Sequence, residues 1–167
     1  MAVGALSTMA FRPAHQSAGE PSGQGEGRRS GLAAWLSALS LAGLGRPLAG
    51  RDDWEREATS VARSWLRLVD DGQHPASWNA AAPLLREEVG PQDWDSALRA
   101  ARAPLGRCLW RKLQSRAAVE GSPGDLRGPY VVIRFESAFE RRGSVAETVT
   151  PVRGPDGRWR VAAYFVS

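Results

Sequence analysis

A carboxylate in the last third of the chain is the side chain whose chemistry depends most on where it lies. Glu147 lies between Val145 and Val149 in a strand-like run, where a charged side chain needs a partner or a functional role. A carboxylate that projects into an apolar cavity acquires a shifted pKa and can act as a general acid or base. A carboxylate on an exposed strand instead pairs with a cross-strand neighbour. The face of the sheet that carries Glu147 therefore decides which kind of site it forms.

Other reactive groups are few. The single cysteine, Cys108, excludes an intramolecular disulfide and a cysteine-based metal cluster, and its position favours a buried, inert thiol. His74 precedes Pro75 in a loop, which is typical of a turn residue at a helix entry. The glycine-rich stretch 121–128 joins two strands and leads into no helix, so it lacks the amide cradle of a phosphate loop. We predict neither a metal nor a cofactor.

The elements that position these residues follow from the periodicity of apolar residues. Helical spacing predicts one long helix from Asp53 to Gly72, a second segment that Pro83 kinks or restarts, and a third helix over 91–102. The period then changes to two, and four strand-like runs follow at 107–118, 130–139, 144–152 and 158–166. This order predicts an α+β domain in which three N-terminal helices pack on one face of a bent, four-stranded antiparallel sheet.

The predicted register divides the strands between two faces. Hairpin turns with an even number of residues place the core face on Val131, Ile133, Phe135, Phe139, Ala146, Thr148, Thr150, Val152, Trp159, Val161, Ala163 and Phe165. The opposite, mixed face then carries the predicted binding residues Arg134, Glu136, Glu147, Arg160 and Tyr164, and its composition favours a homodimer or another protein interface. An odd turn or a bulge would move Glu147 into the core, where it would need Arg102, Arg107 or Arg111 as a partner.

The charge of the chain does not favour nucleic-acid binding. The net charge is +4, of which residues 1–50 contribute +2 (four Arg against two Glu) and residues 51–167 contribute +2 (eighteen basic against sixteen acidic). The globular part is therefore nearly neutral, with its signs interspersed and without a clustered basic stripe. We predict no nucleic-acid partner.

The first fifty residues have the composition of a tail and a targeting segment. Residues 1–27 are rich in Gly, Ser, Ala and Pro, which predicts a disordered tail or a start of translation further downstream. Residues 28–50 begin with two arginines and continue with fifteen uncharged residues, 31–45, which is the shape of a signal peptide and too short for a membrane span. We expect a periplasmic or secreted domain over 51–167, with anchoring by an uncleaved segment as the alternative.

A set of short motifs spread over 51–167 resembles the bacterial domain-of-unknown-function 4019 family. The motifs are 62–72, 102–106, 130–132, 147–149 and 156–161, together with Ser77, Trp78, Trp94 and Tyr164. The resemblance implies a nuclear-transport-factor-2-like, or cystatin-like, cone fold and small, exported, often dimeric proteins of unknown activity. That fold hosts enzymes, ligand-binding proteins and interaction modules alike, so it does not choose among them.

Taken together, the sequence favours a non-catalytic module of the cell envelope that binds a small ligand or a protein. The alternative is a cavity enzyme of isomerase or dehydratase type that uses Glu147 or a carboxylate on a helix. A cavity that holds a carboxylate with a raised pKa would favour the enzyme.

Overall fold

A computed structural model describes residues 50–120 and 128–167. The predicted tail over 1–27 lies outside the described residues, as does the signal-peptide-like segment 28–50 apart from Gly50. None of the helices within the described ranges has the length and apolarity needed to cross a membrane.

Four helices precede the sheet, where the sequence predicts three. They are α1 (Arg51–Asp70), α2 (His74–Asn79), α3 (Pro83–Glu88) and α4 (Pro91–Arg102). The predicted second segment is divided because Ala82 is extended and Pro83 opens a new first turn, the position at which a missing N–H costs nothing. Gly72 ends the first helix with a positive φ of 69°, so that the N–H of Gln73 reaches back to the carbonyl of Leu68.

The sheet is an antiparallel meander of β1 (Cys108–Val119), β2 (Tyr130–Phe139), β3 (Arg142–Arg153) and β4 (Trp159–Val166), in the order β1-β2-β3-β4. The α+β prediction with four antiparallel strands in one sheet and helices packed against it is confirmed. Residues of α1, α3 and α4 bury the core face of the sheet, with Trp65 lying 5.8 Å from Trp94 and 5.5 Å from Tyr164 between ring centroids. Both tryptophans therefore belong to the core, as their helical spacing predicts.

The predicted register of β3 is wrong by one residue. Phe139 pairs with Arg142 but Ser137 pairs with Val145, so β3 holds one extra residue just after the turn. A bulge of this kind reverses the faces of every residue beyond it. The core face of β3 consequently carries Val145, Glu147 and Val149 instead of Ala146, Thr148 and Thr150.

The closing hairpin also departs from the predicted register, in two places. Arg153 pairs with Trp159, which leaves an odd loop of five residues, 154–158. A second shift follows where Thr150 pairs with Ala163 but Pro151 pairs with Val161, so Ala162 is the extra residue of β4. Trp159 and Val161 face the core as predicted. Beyond the extra residue, Tyr164 faces the core in place of Ala163 and Phe165, which were predicted to face it.

Candidate functional site

The corrected register brings charged side chains from distant parts of the chain together on the core face. Asp70 is the last residue of α1, Arg102 is the last residue of α4, and Arg111 lies in β1. Glu147 of β3 lies between them, with Ser137 of β2 and Tyr164 of β4 at its sides. We call these six residues the core cluster.

Glu147 is the centre of the core cluster and is completely buried, with 0% of its surface exposed. Its Oε1 accepts hydrogen bonds from Arg102 Nη1 at 2.8 Å, Arg111 Nη2 at 3.1 Å and Tyr164 Oη at 2.7 Å. Its Oε2 accepts from Arg111 Nε at 2.6 Å and from the hydroxyl of Ser137. Five donors thus occupy a group that offers about four lone-pair sites.

The donors outweigh burial in setting the ionisation of Glu147. Burial raises the pKa of the carboxyl group, but the hydrogen bonds and charge of Arg111, with the hydroxyls of Ser137 and Tyr164, bring the net pKa below its ordinary value. Glu147 is therefore an ionised acceptor at neutral pH.

Asp70 completes the charge balance and marks where the core cluster approaches solvent. Its Oδ2 accepts from Arg111 Nη1 at 2.8 Å and its Oδ1 from Arg111 Nη2 at 3.1 Å, while Arg102 Nη2 donates to the same Oδ1. The side chain of Asp70 is 21% exposed, against 10% and 11% for the two arginines. Two carboxylates face two guanidinium groups, so the core cluster carries no net charge.

Tyr164 links Glu147 to Arg102 within the core cluster. Its hydroxyl donates to Glu147 and accepts from Arg102 Nη1 at 2.9 Å. Burial, followed by the charge of Glu147, raises the pKa of this phenol well above its ordinary value. The phenol therefore stays protonated and acts as a fixed donor.

The predicted binding residues do not form one surface. Arg134, Glu136 and Arg160 lie on the outer face, opposite the core, whereas Glu147 and Tyr164 lie beneath the helices. Placing Glu147 and Tyr164 on the mixed outer face is wrong, because the two bulges turn them inward. The alternative in which Glu147 joins the core with Arg102 or Arg111 is what the structure shows.

On the outer face, Glu136 accepts from the side chains of Gln114 and Ser144, and the three line an open groove of about 290 Å³. Arg160 is held away from that groove, since it binds Asp156 of the closing turn at 2.7 Å. The outer-face residues therefore form short local pairs rather than one network.

A family model described as "Protein of unknown function (DUF4019)" matches residues 61–164, a span that includes the whole core cluster. The chain belongs to this family. No curated protein matches the chain. Among solved structures, this chain is similar to Aln2 from a Streptomyces species, with 13% identity, a TM-score of 0.46, and coverage of 72% of this chain and 92% of Aln2.

The core cluster of this DUF4019 domain is suited to holding elements together and not to acid–base chemistry. A general base needs a free lone pair and a pKa near the working pH. Glu147 has neither, since five donors surround it and its pKa is lowered. Within the described ranges, every buried polar side-chain atom has a hydrogen-bond partner.

His74 has a structural partner that the sequence did not reveal. It is the first residue of α2, not a loop residue, and its Nδ1 lies 2.7 Å from Oδ1 of Asp95 in α4. The other carboxylate oxygen of Asp95 accepts from Arg99, and Arg99, followed by His74, lowers the pKa of that carboxyl group. The contact ties α2 to α4.

Neither thiol nor metal chemistry is indicated by the described residues. Cys108 is half-buried, and burial raises the pKa of its thiol, which disfavours the nucleophilic thiolate. No group of three or more His, Cys, Asp or Glu side chains in 50–120 and 128–167 is arranged to hold a metal ion.

Asp70 and Ser137 are the members of the core cluster that sequence reasoning missed. Asp70 did carry a signal, because an acidic residue in the last turn of a helix is disfavoured by the helix dipole unless a cation is near. Ser137 carried none, since a serine in an apolar strand has many ordinary explanations.

Proposed function

We propose that this domain is a non-catalytic protein-interaction module of the cell envelope that binds through the surface of β1. The proposal takes up the predicted module and chooses a protein partner over a small ligand. It also includes the cystatin-like cone, since a sheet bent by bulges in β1, β3 and β4 around α1 is the form expected of such a cone.

The observation that carries the proposal is the exposure of two large apolar side chains next to each other. Leu109 is 60% exposed and Trp110 is 48% exposed. Both lie in β1, and Lys112 follows on the same exposed strand. We call these three residues the β1 surface. Tryptophan is the side chain most enriched among residues that dominate binding energy at protein interfaces.

The interior supports the same proposal because it is unsuited to a small ligand. The polar groups of the core cluster already bond to one another, so a ligand that entered there would have to break those bonds. The groove beside Glu136 is open to solvent, whereas pockets that hold small molecules enclose most of the ligand surface. A protein partner at the β1 surface requires neither broken bonds in the core cluster nor an enclosed pocket.

Photo-crosslinking in the host cell tests the proposal. A photoreactive residue at Ser115, which is exposed in β1, should give a protein adduct, and Trp110→Ala should reduce that adduct about tenfold because the apolar anchor is gone. The same residue at Gln92, exposed in α4, is the matched control and should give none.

Equal adducts at both positions would contradict the proposal. So would native mass spectrometry that finds a small molecule retained in stoichiometric amount with no adduct at Ser115. That result would favour the ligand-binding alternative.

Export is a separate part of the proposal. It is supported by the two arginines and the apolar run of residues 28–50. The intact mass of the protein isolated from the periplasm or medium should correspond to a chain that begins near residue 51. A full-length chain in the cytoplasm would contradict export, and a full-length chain in the membrane fraction would favour an uncleaved anchor.

A further inference from the structure

The two edges of the sheet are closed to different extents. At the β4 edge, the N–H of Ala82 between α2 and α3 donates to the carbonyl of Val161 at 2.8 Å. At the β1 edge, Glu55 of α1 accepts from the N–H of Ala118 at 3.2 Å and from Arg116 Nε at 3.1 Å. These contacts close the β4 edge at Val161 and the β1 edge at 116–118. In the described ranges, no helix or loop bonds to the backbone of 109–113.

The open stretch 109–113 is also where the β1 surface lies. Open edges present unpaired N–H and C=O groups and bind other strands unless they are protected. Leu109 and Trp110 offer apolar area at that edge, and Lys112 is the protecting charge on its outer face. The edge is thus available for strand addition over a short and defined length.

We propose that β1 pairs antiparallel with β1 of a second copy of this chain, with Arg111 at the two-fold axis. The inference rests on the proposed function, since it names the partner that the β1 surface takes. The register puts Trp110 of each copy opposite Lys112 of the other. The two sheets then form one sheet across the dimer.

Side-chain faces and charges restrict the register. Trp110 pairs with Ala138 and Lys112 with Glu136, so both side chains lie on the outer face, and residues directly opposite in a sheet share a face. An axis at Lys112 would set two lysines opposite each other, which is destabilising. An axis at Arg111 sets each ammonium group against an indole ring, a favourable cation–π pair.

The charges near the axis permit the pairing. Arg111 carries its charge into the core cluster, where Asp70 and Glu147 neutralise it. A lysine on an open edge deters strands that place a basic residue opposite it, because like charges repel. The second copy instead presents the aromatic ring of Trp110 there, which a lysine ammonium group can contact favourably.

Sedimentation equilibrium of the folded domain tests the inference. Because the paired stretch is short, we expect a reversible dimer at about 100 μM protein that dissociates on dilution. Lys112→Glu should weaken dimerisation at least about tenfold, because a carboxylate faces the electron-rich ring. The matched control Arg142→Glu reverses the charge of an exposed strand residue away from β1 and should leave dimerisation unchanged.

A charge exchange checks the register itself. Trp110→Lys should also dissociate the dimer, since it sets two lysines opposite each other, and adding Lys112→Glu to it should restore the dimer through two Lys–Glu pairs. Circular dichroism of each variant verifies folding. A double variant that is folded and stays dissociated would overturn the proposed pairing.

Two further results would overturn the inference while leaving the proposed function in place. A wild-type monomer at high micromolar concentration that still gives a protein adduct at Ser115 means that the partner is a different protein. A dimer that Arg134→Glu dissociates as strongly as Lys112→Glu means that copies pack through their outer faces. Loss of every adduct would count against the proposed function itself.

Discussion

Two glutamates on neighbouring strands show how differently one residue type behaves on the two faces of this sheet. Glu147 faces the core and is held by five donors, whereas Glu136 faces outward and accepts from Gln114 and Ser144. Glu136 pairs with Ala146, the residue next to Glu147, so a shift of β3 by one residue would place Glu147 on the outer face with Glu136. The buried carboxylate of Glu147 therefore needs a complete set of partners, whereas the outward-facing carboxylate of Glu136 has only local ones.

The difference should appear as unequal contributions to stability. Removing one partner of a buried ion pair leaves an uncompensated charge in the interior and costs about 3–5 kcal/mol. An exposed pair contributes about 0–1 kcal/mol because water and salt screen it. The core cluster and the outer face should therefore respond differently to the same substitution.

Replacing Glu147 should give the largest effect. Glu147→Gln leaves Arg102 and Arg111 with Asp70 as their remaining carboxylate, and we expect a loss of about 3–5 kcal/mol in the free energy of unfolding. Urea denaturation at neutral pH measures it. Glu136→Gln on the outer face is the matched control and should change stability by less than about 0.5 kcal/mol. Equal losses in the two variants would contradict the comparison.

Removing one hydroxyl from the core cluster should give a smaller loss. Tyr164→Phe deletes one donor to Glu147 and one acceptor for Arg102, and we expect a loss of about 1–2 kcal/mol in the free energy of unfolding. Tyr130→Phe is the control, since Tyr130 is also buried but takes no part in the core cluster. If thermal unfolding moves by the same amount in both variants, the hydroxyl of Tyr164 has no special role.

Acid should separate the two regions by salt dependence. Because the pKa of Glu147 is lower in the folded protein, its contribution is complete above the ordinary glutamate pKa and is lost as the pH falls through the folded value. Hydrogen bonds from Arg160 and from the N–H of Arg158 lower the pKa of Asp156 to about 2, with the same sign, but Asp156 is exposed and screened by salt.

The urea midpoint between about pH 5 and pH 3 measures this difference. It should fall less steeply in Glu147→Gln than in the wild type, and high salt should change the wild-type slope little. The midpoint of Asp156→Asn should follow that of the wild type. A slope that disappears in high salt would assign the acid sensitivity to exposed pairs instead.

The helices and strands could be predicted from the sequence because each depends on neighbours in the chain. The spacing of Trp54, Val61, Trp65 and Leu68 is enough to predict α1, and the two runs around Asp156 are enough to predict the closing hairpin. The count of helices differed at Pro83, where a proline can kink a helix or start one, and the sequence does not distinguish these outcomes.

The site was harder to predict because its residues meet only through the register. The sequence identified Glu147 as the decisive side chain and Arg102 and Arg111 among its potential partners. It did not place them, since Gly143 is as typical of the turn as of a bulge, and the extra residue at Ala162 carries no distinctive signal. Asp70 entered the core cluster through the packing of the end of α1 against β1, a contact between residues far apart in the chain.

The sequence by itself determined most of the secondary structure, the α+β order, the family and the single carboxylate whose position matters. Only the tertiary structure decided which face carries Glu147, which side chains surround it, and which half of the β1 edge stays open. The physical reason is that helix and strand propensities act over a few residues, whereas one bulge reverses a whole strand face and its cost or benefit depends on packing across the sheet.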